Sequence, residues 1–228
     1  MRLFLPSLLL VWSALLSALF SVPCSGAEAL TVLCFGDSIT EGKTPKSLMP
    51  ADRWTARVGV LLAGRVTCVN EGKGGRAASA VGEFAGALQR TPKPDLLIVA
   101  LGTNDSRDDM KEGAALAARV TKNIAEICAA ARAANPAIRI LVCAPYNINP
   151  EALKNAATAP QREANLKAIG AALAKWAQTE AQTSRVAFAN LYGVLPAESL
   201  TSDGVHPDKT GQDAIARTMA KALEPLLK

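Results

Sequence analysis

The chain has 228 residues but only one histidine, His206, and aromatic residues make up only 4% of it. A site that needs two or more imidazoles is therefore excluded, and any histidine-dependent chemistry must use His206. Cysteines are also few, and those beyond the first residues lack the spacing of metal ligands and have no histidine partners. We expect no metal site, and we expect these cysteines to be small, buried free thiols. They are Cys34, Cys68, Cys128 and Cys143.

The sequence has no internal repeat and no low-complexity segment. Its net charge is +5 at pH 7, but lysine and arginine are scattered and are not interleaved with aromatic residues. This pattern is typical of a solvated surface and predicts no nucleic-acid partner. Hydrophobic residues make up 50% of the chain, so the length fits one domain with a substantial core. No pattern indicates an oligomeric state.

The first residues have the form of an export signal. Arg2 precedes a mostly apolar run over residues 3–22, and small residues follow at Ala27 and Ala29. This arrangement predicts a signal peptide over residues 1–29, a domain over residues 30–228, and a periplasmic or secreted location.

Two alternatives stay open for this segment. Cys24 could carry a lipid anchor, although Pro23 directly before it fits that processing signal poorly. The segment could also be retained as a membrane anchor. No later run is long and apolar enough to span a bilayer, so we expect no stable membrane insertion after cleavage.

Short apolar runs rich in β-branched residues alternate with segments of helical spacing. Strands are predicted over residues 30–35, 66–69, 96–101, 138–144 and 186–191, and helices over 53–63, 77–89, 110–134, 161–179 and 208–227. Continuous apolar strands are typical of a parallel sheet that is buried on both faces. The alternation therefore predicts an α/β fold, a three-layer α/β/α sandwich around a five-stranded parallel sheet.

Polar turns follow the predicted strands. Ser38 follows the first strand, a glycine-rich turn over residues 70–75 follows the second, Asn104 follows the third, and residues 203–206 come after the fifth. Because ligands bind at the carboxyl ends of parallel strands, we expect these turns to meet at one edge of the sheet.

Three of these residues could form a nucleophile, a base and an orienting acid. A serine needs a base within hydrogen-bonding reach to attack a carbonyl, and His206 could take the proton of Ser38. Asp203 could hold the other ring nitrogen and stabilise the imidazolium. Each residue also has a structural alternative: a turn serine, a structural histidine and an aspartate that caps a helix.

Acyl transfer also needs hydrogen-bond donors for the developing oxyanion. The backbone N–H of Ser38, the backbone N–H of Gly75 and the side chain of Asn104 are the candidates. Gly72 and Gly74 compete with Gly75, which is chosen by its distance from residues 69–70.

Four sequence blocks together resemble those of the SGNH subgroup of the GDSL-type hydrolases. They are GDSIT at residues 36–40, the turn ending at Gly75, GTND at 102–105 and DGVH at 203–206. The resemblance extends from about residue 30 onward. It implies a flavodoxin-like SGNH hydrolase fold, Ser38 as nucleophile, His206 as base and Asp203 as its orienter. It also implies an oxyanion hole formed by Ser38, Gly75 and Asn104, and an acyl-enzyme chemistry that needs no cofactor.

The expected substrate is a small-molecule, glycan or lipid ester with a small acyl group. RWT at residues 53–55 is similar to bacterial arylesterase and acyltransferase members, while carbohydrate O-acetylesterases and lysophospholipase/thioesterase members share the same blocks. Trp54 either lines the acyl pocket or belongs to a helix core. Tyr146 begins a long loop, residues 146–160, that either borders the pocket or is a surface excursion.

Three other interpretations are weaker. Residues 36–44 come close to a phosphate-loop motif, but they have one residue too many between the glycines, and prolines follow where a helix should start. The second glycine of the α/β-hydrolase elbow is missing after Ser38. A carbohydrate- or lipid-binding protein with a decayed site would usually have lost one member of the set.

Overall fold

A computed structural model describes residues 28–44, 48–107, 113–181 and 185–228. The strands are β1 (Leu30–Gly36), β2 (Val66–Gly72), β3 (Leu96–Ala100), β4 (Arg139–Cys143) and β5 (Val186–Ala189). The helices are α1 (Ser38–Glu41), α2 (Trp54–Leu61), α3 (Val81–Arg90), α4 (Gly113–Ala134), α5 (Ala159–Ala181) and α6 (Lys209–Leu223). The predicted signal peptide falls almost entirely outside the described residues.

The five strands form one parallel sheet in the order β2-β1-β3-β4-β5. This is the flavodoxin-like order. Successive strands are added towards one edge of the sheet from β1 to β2 and towards the other edge from β3 onward, which leaves a crevice at the carboxyl ends of β1 and β3. The predicted fold class is therefore confirmed, and the turn after β1 lies at the point where ligands bind in such sheets.

Alternate residues of the central strands point into two separate apolar cores. On β1, Val32 and Cys34 face the core shared with α2 and α6, while Leu33 and Phe35 face the core shared with α3, α4 and α5. All four are 0% exposed. Burial on both faces explains why the strands are continuous apolar runs and makes three layers the stable arrangement.

Several boundaries differ from the prediction. Strand β2 continues to Gly72, because its pairing with β1 runs on to the Gly36–Gly72 pair. Helix α3 begins at Val81 and not at residue 77, since the backbone N–H of Ala78 is held by the carboxylate of Asp105. The short helix α1 was not predicted. The predicted start of α4 at residue 110 lies outside the described residues.

Within the part of the chain that the structure describes, no helix has the length and apolar character required to cross a membrane.

Candidate active site

Ser38 is the first residue of α1, directly after β1. Asp37 caps this helix: its backbone is extended, and its Oδ1 accepts a hydrogen bond from the N–H of Ile39 at 2.9 Å. As the first helical residue, Ser38 has a backbone N–H without a partner inside the helix. The hydroxyl is thereby fixed at the carboxyl end of β1, in a residue that is 7% exposed.

The structure brings Ser38, His206 and Asp203 together. Nε2 of His206 lies 2.8 Å from the Oγ of Ser38, although the two residues are 168 positions apart. Nδ1 of His206 lies 2.6 Å from Oδ2 of Asp203. With Nδ1 protonated and donating to the carboxylate, Nε2 is free to accept the hydroxyl proton. The arrangement can therefore move a proton away from the serine oxygen.

The loop that carries His206 is held by close packing and by backbone hydrogen bonds. Gly204 has a φ of +69° and packs closely, because a Cβ at this position would lie 2.5 Å from the carbonyl oxygen of Asn149. The carbonyl of Gly204 accepts from the N–H of Asn149 at 2.8 Å, and the carbonyl of His206 accepts from the N–H of Thr201 at 2.9 Å. Glycine is needed here, and the imidazole is placed by a rigid turn.

Asp203 is held in its ionised form. Burial by itself raises the pKa of its carboxyl, but the backbone N–H of His206, the imidazole and the backbone N–H of Val205 lower that pKa to about 2. Both backbone donors bond to Oδ1 at 2.9 Å, which leaves Oδ2 for the ring. The carboxylate therefore stays charged throughout the pH range in which an imidazole titrates.

The carboxyl of Asp37, in contrast to that of Asp203, has a raised pKa. Its carboxyl is 1% exposed, and burial raises its pKa from 3.8 to about 6, against the lowering effect of the Ile39 N–H and the charge of His206. The acid beside the nucleophile is thus costly to ionise, although it caps the helix in either protonation state.

Besides the N–H of Ser38, the two other predicted oxyanion donors lie on two connected turns. Gly75 has a φ of +76°, and apart from its two chain neighbours no described residue has a heavy atom within 4 Å of where its Cβ would be, so space remains beside its backbone. Asn104 Nδ2 donates to the carbonyl of Arg76 at 3.0 Å, which ties its turn to that of Gly75. Gly72 instead packs against the backbone of α1, and Gly74 faces the side chain of Glu41. This geometry favours Gly75 among the three glycines.

Arg76 fastens the glycine turn and was missed from the sequence. Its Nη1 donates to the carbonyl of Gly36 at 2.8 Å and also to that of Glu71. Its guanidinium stacks over the ring of Phe35, 4.1 Å from the centroid, and pairs with Glu83 at 3.2 Å. The side chain is 4% exposed. An arginine beside a glycine turn has no distinctive spacing, so only the contacts reveal its role.

The two residues predicted to line the acyl pocket lie in the core instead. Trp54 is 0% exposed and Tyr146 is 1% exposed, and both belong to the core cluster on the α2 and α6 face of the sheet. They share this cluster with Ile39 of α1, and their burial shows that neither side chain lines an open pocket. Gln212 was also missed: it is fully buried, accepts from the Trp54 N–H at 2.8 Å and donates to the Ile39 carbonyl at 3.1 Å.

A cavity of about 620 Å³ lies beside the imidazole of His206. Residues 153–158 of the long loop after β4 form one side of it, so this loop borders the pocket and is not a surface excursion. Ser106, Arg107, Asp203, Val205 and the first turn of α5 line the rest of it.

Comparisons with known proteins agree with this fold. The sequence model of the GDSL-like Lipase/Acylhydrolase family matches residues 34–214. Among solved structures, a putative arylesterase from Agrobacterium tumefaciens str. C58 is 24% identical, with 86% of this chain and 99% of that chain covered and a TM-score of 0.71.

Two carbohydrate esterases are similar. A carbohydrate acetylesterase from Sinorhizobium meliloti is 21% identical, with 86% of this chain and 99% of that chain covered and a TM-score of 0.69. A carbohydrate esterase family 3 protein from Talaromyces cellulolyticus is 25% identical, with 87% and 98% covered and a TM-score of 0.68. A search of curated proteins finds no match.

Proposed function

The chain belongs to the GDSL-like lipase/acylhydrolase family and is an ester-bond hydrolase, and we propose that it is a serine esterase that forms an acyl-enzyme on Ser38. The observation that carries the proposal is the pair of contacts on either side of one imidazole, 2.8 Å to the Ser38 hydroxyl and 2.6 Å to the Asp203 carboxylate.

In the first half-reaction, Ser38 Oγ attacks the ester carbonyl carbon as its proton moves to Nε2 of His206. The carbonyl oxygen gains the negative charge and is bound by the backbone N–H groups of Ser38 and Gly75 and by the amide of Asn104. The intermediate collapses when the imidazolium gives its proton to the leaving oxygen. The alcohol departs, and the acyl group stays on Ser38.

In the second half-reaction, water takes the place of the alcohol. His206 removes a proton from the water, whose oxygen attacks the acyl carbon, and the same proton then returns to Ser38 Oγ as the acid is released. Asp203 remains ionised throughout, because the hydrogen bonds that lower its pKa to about 2 are present in the resting site.

The acyl group is small. Trp54 and Tyr146, the two large side chains predicted to border the acyl pocket, are buried in a core cluster and open no channel for a long acyl chain. The likeness to a carbohydrate esterase at 25% identity supports an ester of a carbohydrate as one such substrate. Export remains part of the proposal and rests on the arginine and apolar run of the first 29 residues.

Turnover of a panel of esters tests this function. The panel contains p-nitrophenyl esters from acetate to decanoate, an acetylated sugar, a lysophospholipid and an acyl-CoA. We expect kcat/KM to be highest for acetate and to fall as the acyl chain lengthens. A higher rate for long acyl chains or for acyl-CoA would favour the lysophospholipase/thioesterase alternative.

Two variants complete the experiment. Ser38→Ala should abolish turnover while thermal unfolding stays close to that of the wild type. Thr179→Ala, which removes an exposed hydroxyl from α5, is the matched control and should leave turnover unchanged. Undiminished turnover by Ser38→Ala would remove Ser38 from the mechanism.

A further inference from the structure

The cavity beside His206 is lined by an excess of positive charge. Arg107, Lys154 and Arg162 are its cationic side chains, and the only carboxylate among its described lining residues is Asp203. That carboxylate is already bonded to the imidazole and to two backbone N–H groups. Among the described lining residues, the three cations therefore have no free carboxylate to neutralise them.

Arg162 is the buried member of this group. It is 7% exposed, and its Nε donates to the Oγ of Ser106 at 3.2 Å. Its Nη2 is shielded from solvent and has no hydrogen-bond partner among the described residues. A buried guanidinium with an unused donor is costly to leave unpaired, and it is a ready partner for an anionic oxygen.

The charge on Arg162 is buried and only partly compensated. Burial lowers the pKa of its guanidinium to about 10, the neighbouring Arg107 cation adds to the lowering, and the carboxylates of Asp203 and Asp37 act against it. The group is still protonated at neutral pH. The first turn of α5, a helix of 23 residues, lies in the same wall and adds the partial positive charge of its N-terminus.

We infer that this cavity binds a carboxylate on the alcohol portion of the ester, and that Arg162 is the residue that selects it. The inference rests on the proposed function and narrows it to esters of alcohols that carry a carboxylate, such as an acetylated acidic sugar. A planar carboxylate suits the fork of a guanidinium, and binding would give the unused Nη2 donor an acceptor.

The position of the cavity identifies the alcohol portion as its occupant. His206 must return its proton to the leaving oxygen, so the alcohol departs beside the imidazole. The imidazole is itself a wall of the cavity. The acyl portion lies beyond Ser38, which is not among the residues that line the cavity.

Two pairs of esters test the inference. In the first pair, 4-acetoxybenzoate and its methyl ester differ only in a carboxylate on the alcohol side. In the second pair, mono-p-nitrophenyl succinate and p-nitrophenyl butyrate differ in a carboxylate on the acyl side. The readout is the ratio of kcat/KM values within each pair, which a general loss of folded enzyme leaves unchanged.

Arg162→Gln is compared with Arg65→Gln, Arg162→Lys and the wild type. Arg65 lies directly before β2, at the amino ends of the strands and so away from the site at their carboxyl ends. Its loss is a matched removal of one positive charge. We expect the first-pair ratio to fall about ten- to hundredfold in Arg162→Gln, as for loss of a hydrogen bond to a charged group. It should fall less in Arg162→Lys and remain unchanged in Arg65→Gln. The second-pair ratio should not respond to Arg162.

A first-pair ratio that is equal in the wild type and Arg162→Gln would overturn the inference. So would a parallel fall for both esters of the first pair, which is the signature of a purely structural arginine, or an effect on the second pair instead. Failure of the proposed function has a different signature: hydrolysis of the methyl ester would persist in Ser38→Ala, or the wild type would hydrolyse no ester.

Discussion

Replacement of Asp203 by asparagine separates orientation of the imidazole from proton transfer. The asparagine oxygen can keep the position of Oδ1 and its two backbone N–H bonds, each 2.9 Å long. Its amide nitrogen would take the position of Oδ2, which lies 2.6 Å from Nδ1 of His206 in the wild type. The turn is preserved, but a charged acceptor becomes a neutral donor that favours the wrong tautomer of the ring.

The magnitude follows from the contact that is lost. A hydrogen bond to a charged group contributes about 1.5–3 kcal/mol. The Asp203 side chain is 41% exposed, so solvent screening places it near the lower end of that range. This corresponds to about a tenfold loss from the contact alone. The unfavourable tautomer of the ring increases the loss further. His206→Ala removes the base itself and should cost at least about ten thousandfold.

The assay is kcat/KM for p-nitrophenyl acetate at pH 8, with thermal unfolding as the check on folding. Because the pKa of Asp203 is about 2, the wild-type carboxylate is ionised down to acid pH, so loss of activity on mild acidification should not come from protonation of Asp203. Equal losses in Asp203→Asn and His206→Ala, or no loss in Asp203→Asn, would refute this division of roles.

Three further outcomes are expected. The pKa of Asp37 is raised from 3.8 to about 6, so ionisation of this buried carboxyl destabilises the fold as the pH rises through that interval. Asp37→Asn should therefore be more stable than the wild type at pH 8, by up to about 3 kcal/mol in the free energy of unfolding, and should lose this advantage near pH 4. Arg76→Met should lower kcat more than it changes KM, because the Gly75 turn loses its anchor, and should destabilise the fold by about 2–4 kcal/mol in thermal unfolding. Of the four described cysteines, only Cys68 should react with a thiol reagent in the native protein, since burial raises the pKa of the other three thiols.

The sheet could be predicted because each strand is an apolar run of its own. Burial on both faces leaves no polar alternation in β1, β3 or β4, and this continuity is visible in the sequence. The residues that follow these strands could be predicted to converge because the carboxyl ends of parallel strands share one edge. Ser38, Asn104 and the segment that ends at His206 are of this kind.

The remainder of the site depends on contacts between distant segments. Arg162 could be assigned to a helix, but its burial comes from packing against Ser106, which is 56 positions away. Trp54 was equally compatible with a pocket and a core, and the contact of α2 with α6 places it in the core. Arg76 acts through the carbonyls of neighbouring strands, whose positions exist only after the sheet has formed.

The most direct test of the central claim is labelling of the protein with a fluorophosphonate, followed by intact mass and peptide mapping. The account predicts one adduct, on Ser38, that forms at least about a hundredfold more slowly in His206→Ala, because Ser38 is then without its general base. An adduct on another residue, or equal labelling rates in the two proteins, would contradict it.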